Sequence, residues 1–286
     1  LGSCRTGLTQ CRRTGLVGVH GPQLRHERIR IRLRPATAVD FVAGVDQFVI
    51  DGIAEAGVEE GRQTAFYAHG QATIAMCEAL AMTGDGTLRE PVRKAVKFII
   101  DSQHPEHGGW KYRPHSEGDL SVLGWQLMAL ESARMANIDV PSDTLDRASH
   151  FLDLVSVQRG ARYKYDRNPN PPFSPAMTAE GLLCRQYLGW PRDHPAMRDG
   201  VKYLTQEQNL PSWTNGRRNV YYWYYATQVL HNFQGPEWEQ WNKLLVKELL
   251  SNQDRLGKTM GSWSPVKFSG DPFEYADKGG RHYMTC

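Results

Sequence analysis

The sequence predicts an all-α fold built as a stack of helical hairpins, and three observations carry that prediction. The stretch from Asp101 to Leu130 closes one helix at Gln103, turns through Gly108, Gly109 and Trp110, and opens a second, almost wholly apolar helix behind Asp119. The same succession returns at Gln253 followed by Gly261, Ser262 and Trp263, and more weakly from Gln206 and Gln208 to Trp213. Helices that are apolar nearly all round also alternate with helices carrying one apolar stripe, at a spacing of roughly 50 residues, a period at which stacked helical pairs share one core.

The elements follow in order. Residues 38 to 58 offer a first helix, with Val39, Phe41, Val42, Val45, Phe48 and Val49 on one side and Asp46 and Asp51 on the other. Residues 69 to 83 are apolar nearly all round, which marks an inner helix buried on both faces. Residues 88 to 103 set Val92, Val96, Ile99 and Ile100 against Arg93, Lys94 and Lys97, the pattern of an outer helix, with Pro91 in the first turn, where proline is tolerated. Residues 119 to 137 are inner, with Leu120, Leu123, Leu127 and Leu130 joined by Trp125. Residues 142 to 156 are outer, with Ser142 as the expected N-cap. After a Pro/Asn-rich loop, residues 176 to 189 are inner and 195 to 208 outer. Residues 219 to 233 give the most aromatic inner helix, and 236 to 253 the outer helix that answers it. Residues 279 to 286 open another inner helix that the chain leaves unfinished.

With 286 residues, 40% of them apolar, the chain can bury a sizeable interior. Its formal charge of +3 is misleading, because residues 1 to 36 hold eight Arg against the single acid Glu27. The rest of the chain is therefore mildly acidic and offers no basic surface for nucleic acid. Residues 1 to 37 are expected to be an Arg-rich tail, disordered or non-native. Since the first residue is Leu1, a fragment or an upstream coding artefact explains that tail better than a targeting signal. The repeat domain spans 38 to 286. Cys4, Cys11, Cys77, Cys184 and Cys286 are odd in number and lack zinc spacing, so they are expected to be free thiols in a reducing, cytoplasmic setting, with no metal and no cofactor. No apolar run is long enough for a membrane span, which leaves peripheral membrane contact open.

The Gln to Gly-x-Trp signatures, the inner and outer alternation and the run Asp119-Leu120-Ser121-Val122 resemble the prenyltransferase and squalene-oxidase repeat family. The likeness runs from Phe66 to Thr285 and extends to a squalene-cyclase-like branch found in planctomycete bacteria. It implies the α/α toroid of squalene-hopene cyclases and protein prenyltransferase β subunits, here as an incomplete ring. In that fold inner helices line a central cavity, and Gln103 with Trp110 and Gln253 with Trp263 would be structural clamps rather than reacting groups.

Parallel inner helices would gather their N-termini at one mouth, whose summed dipoles favour anions. His69, Asp119 and Glu180 fall there as candidate acids or bases. Trp125, Tyr221, Tyr222, Tyr225, Arg281 and His282 are the candidate ligand contacts. Each has a plainer reading: Asp119 as N-cap, His69 paired with a carbonyl, Glu180 favoured by the helix dipole, and the aromatics as core. Arg281, opening a buried helix, needs an anionic partner. The family's standard chemistries lack their residues here. There is no Asp-x-Asp-Asp acid, no adjacent Asp pair for magnesium, and no Asp, Cys and His zinc set in the body of the chain. The function expected is a squalene-cyclase-like repeat protein with an aromatic-lined cavity for an isoprenoid-like apolar molecule. The alternatives are a non-catalytic binding or scaffold module on the same toroid, and a polysaccharide-active toroid using Tyr222, Tyr225 and His69.

Overall fold

The computed structural model describes residues 65–170, 172–213 and 218–264. The Arg-rich tail, the helix expected over residues 38 to 58, and Arg281 and His282 lie outside the described residues. Eight α-helices are described: α1 (Ala65–Thr83), α2 (Arg89–Ser102), α3 (Leu120–Met135), α4 (Ser142–Val155), α5 (Pro175–Tyr187), α6 (Pro195–Leu204), α7 (Val220–Phe233) and α8 (Pro236–Asn252). A two-residue antiparallel pair, β1 (Ser156–Val157) and β2 (Arg162–Tyr163), lies between α4 and α5, with Ser156 opposite Tyr163.

The odd-numbered helices form one layer, in which α1 packs on α3, α3 on α5 and α5 on α7, and each is backed by the even-numbered helix that follows it. Their N-termini share one end. Tyr67, near the start of α1, meets Ser121 at the start of α3, and Tyr221 at the start of α7 meets Glu180 of α5. At the opposite end, Gln186 of α5 reaches the Val229 carbonyl and Asn232 of α7. The inner helices are therefore parallel, and the outer ones return the chain between them.

Burial follows this layering. In α3 every position from Leu120 to Leu130 is buried except Trp125, and in α5 the run Thr178 to Arg185 is buried without a break. A helix buried through more than two full turns is covered on all sides. The outer α2 buries Val92, Val96 and Ile99 and leaves Arg93, Lys94 and Lys97 in water, as its stripe requires. Helix α1 departs from expectation. Ala68, Gln71, Ala75, Glu78 and Met82 recur at helical spacing along an exposed side, so it is buried on one face only. Ser142 is likewise not an N-cap: Pro141 occupies that position with no side-chain cap, and Ser142 is already the first helical residue. The expected outer helix over 195 to 208 ends at Leu204, and a short 3-10 turn, Glu207–Asn209, follows.

The Gln and Trp pairs act as clamps. Gln103 Nε2 donates to the carbonyls of Gly108 (2.9 Å) and Thr144 (2.9 Å), its Oε1 accepts from Arg147 Nε, and Trp110 Nε1 donates to the Ile99 carbonyl at 2.7 Å. The second copy repeats the scheme, with Gln253 Nε2 on the Gly261 carbonyl (2.8 Å) and Trp263 Nε1 on the Leu249 carbonyl (2.9 Å). In both, the Trp binds the carbonyl four residues before the Gln, so one side chain ties the helix end and the other ties the turn. The weak third copy does not share these bonds: Gln206 accepts from Gln208, and the Trp213 backbone N–H donates to Glu248.

Gln103→Ala removes three bonds at a buried site, and the expected loss is about 2–4 kcal/mol. Gln253→Ala, at an exposed site, is expected to cost no more than about 1 kcal/mol. Urea unfolding of both variants measures the contrast.

Candidate functional site

Two acids lie at the N-terminal end of the inner layer. Asp119 is fully buried and caps α3: its Oδ1 accepts from the Val122 N–H (2.9 Å) and from Ser121 Oγ (2.7 Å), and its Oδ2 accepts from the Tyr165 hydroxyl at 2.9 Å. Ser121 and Tyr165 spend their single hydroxyl hydrogens on Asp119. The Tyr67 hydroxyl must therefore donate to Ser121 (2.7 Å), and that of Tyr112 to Tyr165 (2.6 Å). The chain of hydroxyls converges on one carboxylate. Burial raises the Asp119 pKa above the ordinary carboxylate value, while the Val122 N–H, Ser121, Tyr165 and the charge of Lys111 oppose that rise.

Glu180 is the second acid. It projects from α5, is fully buried, and accepts from the Tyr221 hydroxyl at 2.8 Å through Oε2. Its Oε1 has no hydrogen-bond partner and lies against Gly124 of α3, where an added Cβ would stand 2.3 Å away. Only glycine at 124 leaves room for this carboxyl. The Tyr225 hydroxyl is close enough to act on the carboxyl electrostatically, yet it too lacks a bond of normal geometry. Burial lifts the Glu180 pKa from the ordinary 4.5 to about 8, the nearby charge of Asp119 pushes it the same way, and the hydroxyls of Tyr221 and Tyr225 resist. Glu180 is thus an uncharged acid at neutral pH.

Tyr224 lies near enough to Glu180 to feel its charge, and Trp125 follows Gly124, against which the Glu180 carboxyl rests. Trp125 and Tyr224 come from α3 and α7, the two helices that flank α5, and their rings stack at 6.0 Å with an interplanar angle of 20°. Tyr224, at 45% exposed, forms the outward side of the pair and meets Tyr225 edge-on at 5.0 Å.

Of the residues singled out by sequence, Asp119, Glu180, Trp125, Tyr221 and Tyr225 are brought together. His69 and Tyr222 are not. His69 Nε2 lies 3.0 Å from the Ala95 carbonyl of α2, with its ring edge on Phe98, and the Tyr222 hydroxyl donates to the Leu204 carbonyl of α6. Both are turned into the wall between layers. The expected anion-binding mouth is also answered from within, because Asp119, Ser174 and Asn219 cap α3, α5 and α7 with their own side-chain oxygens.

Sequence reading missed Tyr67, Tyr112, Ser121 and Tyr165. It assigned no element to residues 158 to 167, and there the β1/β2 turn carries the chain back so that the Tyr165 carbonyl receives the Leu120 N–H. The same turn seats the Tyr163 ring over Gly181, where an added Cβ would lie 2.3 Å from it. The alternation of Arg162, Tyr163, Lys164 and Tyr165 was the available signal.

Among the described residues, one group has donor atoms close enough to hold a metal: His104, His107 and Glu117, whose ligand atoms lie within 4.8 Å of one another. Two of the three are already engaged. His104 Nδ1 accepts from the Glu106 and His107 N–H groups, and Glu117 pairs with Arg167. A groove of about 230 Å³ lies at the C-terminal end of the inner layer, lined by Tyr187, Trp190, Arg192 and Phe233, away from the two acids. No described helix is long and apolar enough to cross a membrane. Comparison with protein families, curated proteins and solved structures finds no match.

Proposed function

We propose that the chain is a squalene-cyclase-like and prenyltransferase-like repeat protein of the α/α-toroid type, whose inner helices bind an isoprenoid-like apolar molecule. The stack of Trp125 on Tyr224 carries this reading. A meeting of side chains from α3 and α7 across α5 is what an inner layer curved around α5 would give, and a curved layer of parallel inner helices is what a toroid needs. The concave side of such a layer would present the Trp125 and Tyr224 rings, which suit an extended unsaturated chain.

The binding role is favoured over catalysis by the state of Asp119. Its oxygens accept three hydrogen bonds and cap a helix, which leaves it no freedom to serve as a proton donor. A catalytic form of the same reading would need Glu180 as its acid, and a carboxyl whose pKa burial raises to about 8 is a weak donor for protonating an alkene, which again favours binding.

The test is incubation of intact protein with squalene and with prenyl diphosphates, followed by analysis of bound and converted material. Binding is expected, and Trp125→Ala is expected to weaken it about tenfold, equivalent to about 1.4 kcal/mol. Failure of every such compound to bind contradicts the proposal. Binding without conversion assigns the non-catalytic form.

A further inference from the structure

Glu180 has one oxygen bound and one unbound. Tyr221 donates to Oε2, while Oε1 is buried without a partner. Asp119 is the one charged group acting on this carboxyl among the described residues, and it is an acid too. A carboxyl so placed keeps its proton, because ionisation would leave an uncompensated charge out of water. Since Oε2 is already an acceptor for Tyr221, the proton belongs on Oε1. The result is a buried O–H donor without a bond of normal geometry, whose one nearby acceptor is the equally unbonded Tyr225 hydroxyl. The groups facing it are Tyr221, Tyr224 and Tyr225 from α7, Tyr67 from α1, Asp119 ahead of α3, and Cys184 one turn along α5. None of them supplies positive charge.

We infer that Glu180 is the polar anchor of the inner face, and that its acid O–H receives the oxygen of an uncharged head group, an alcohol or a ketone, on an otherwise apolar ligand that parts Trp125 from Tyr224. This rests on the proposed binding of an isoprenoid-like molecule and narrows its class. A diphosphate head would set further negative charge beside Glu180, on which no described cation acts. A pure hydrocarbon would leave that donor as it stands and forgo the bond that an oxygen adds. A neutral oxygen satisfies the donor and adds no charge.

The experiment compares three probes of one chain length, farnesol, farnesyl diphosphate and farnesane, titrated into the full chain at pH 6.5 and 9.5 and followed by tryptophan fluorescence. At pH 6.5 farnesol is expected to bind at least tenfold more tightly than either of the others, and to lose that advantage at pH 9.5, where Glu180 has given up its proton. E180L is expected to bind farnesol no better than farnesane. E180Q keeps an uncharged donor in the same place. It is expected to retain the farnesol preference at both pH values, and it carries the test should E180L not fold. Equal or tighter binding of farnesyl diphosphate or farnesane overturns the anchor while leaving the inner face as a binding surface, and so does an unchanged pH response in E180Q. Binding of none of the three overturns the anchor and the proposed function together.

Discussion

Trp110→Ala is expected to destabilise the fold by about 3–5 kcal/mol, the usual range for emptying a fully buried indole site. Two losses combine. The ring leaves a cavity in the main core, and the Ile99 carbonyl at the end of α2 loses the indole N–H that satisfies it at 2.7 Å. Water cannot easily replace that donor at a site with no exposure, so the unpaired carbonyl adds to the cavity cost. Trp110→Phe restores most of the volume but not the donor. It is expected to recover more than half of the loss, and the remainder measures the hydrogen bond. Equilibrium unfolding of both variants in urea gives the two values, and a Trp110→Ala loss below about 1 kcal/mol would contradict the clamp role.

Stability should also fall as pH rises from about 5 to about 8, and Glu180→Gln should remove most of that dependence. The folded-state pKa of Glu180, about 8, lies above the ordinary 4.5 that applies once the chain unfolds. Between those values the folded protein holds a proton that the unfolded chain has released, so ν_U is smaller than ν_N and stability declines with pH. The decline begins above the unfolded pKa and levels off above the folded one. Its full extent is roughly 3–5 kcal/mol for a group with no solvent exposure. Asp119 titrates in both proteins, so the difference between the two stability curves isolates Glu180. The sign can be read directly, with Glu180→Gln the more stable protein at pH 9.

Much of the fold could be read from the sequence because the inner and outer helices differ in a property that burial imposes. The inner α3 and α5 are buried on every side and carry few charges, whereas α2 needs only one apolar stripe. Helix α1 misled for the same reason. Its apolar residues suggest burial all round, but whether a neighbour covers Ala68, Ala75 and Met82 is a tertiary fact that composition does not record. The clamps were legible because a Gln and a Trp at fixed offsets have few other uses in a helical turn.

The site was legible in part. Asp119 and Glu180 could be placed at helix starts from sequence, and the parallel inner layer brings those starts together. Tyr222 was misjudged because five aromatics in a row cover every face of α7, and only packing decides which of them face α6. Tyr165 could not be foreseen as a partner of Asp119, since 46 residues and a short β turn separate them. The stack of Trp125 on Tyr224 joins helices 99 residues apart in the chain, and no local pattern announces it.

The most direct measurement is a carbon-13 NMR titration of glutamate side-chain carboxyls, with the Glu180 signal identified by its disappearance in Glu180→Gln. An uncharged acid enclosed by α3, α5 and α7 should titrate with a midpoint near 8. A midpoint near 4.5, the ordinary value, would mean that water reaches the carboxyl and that the inner face does not close over it.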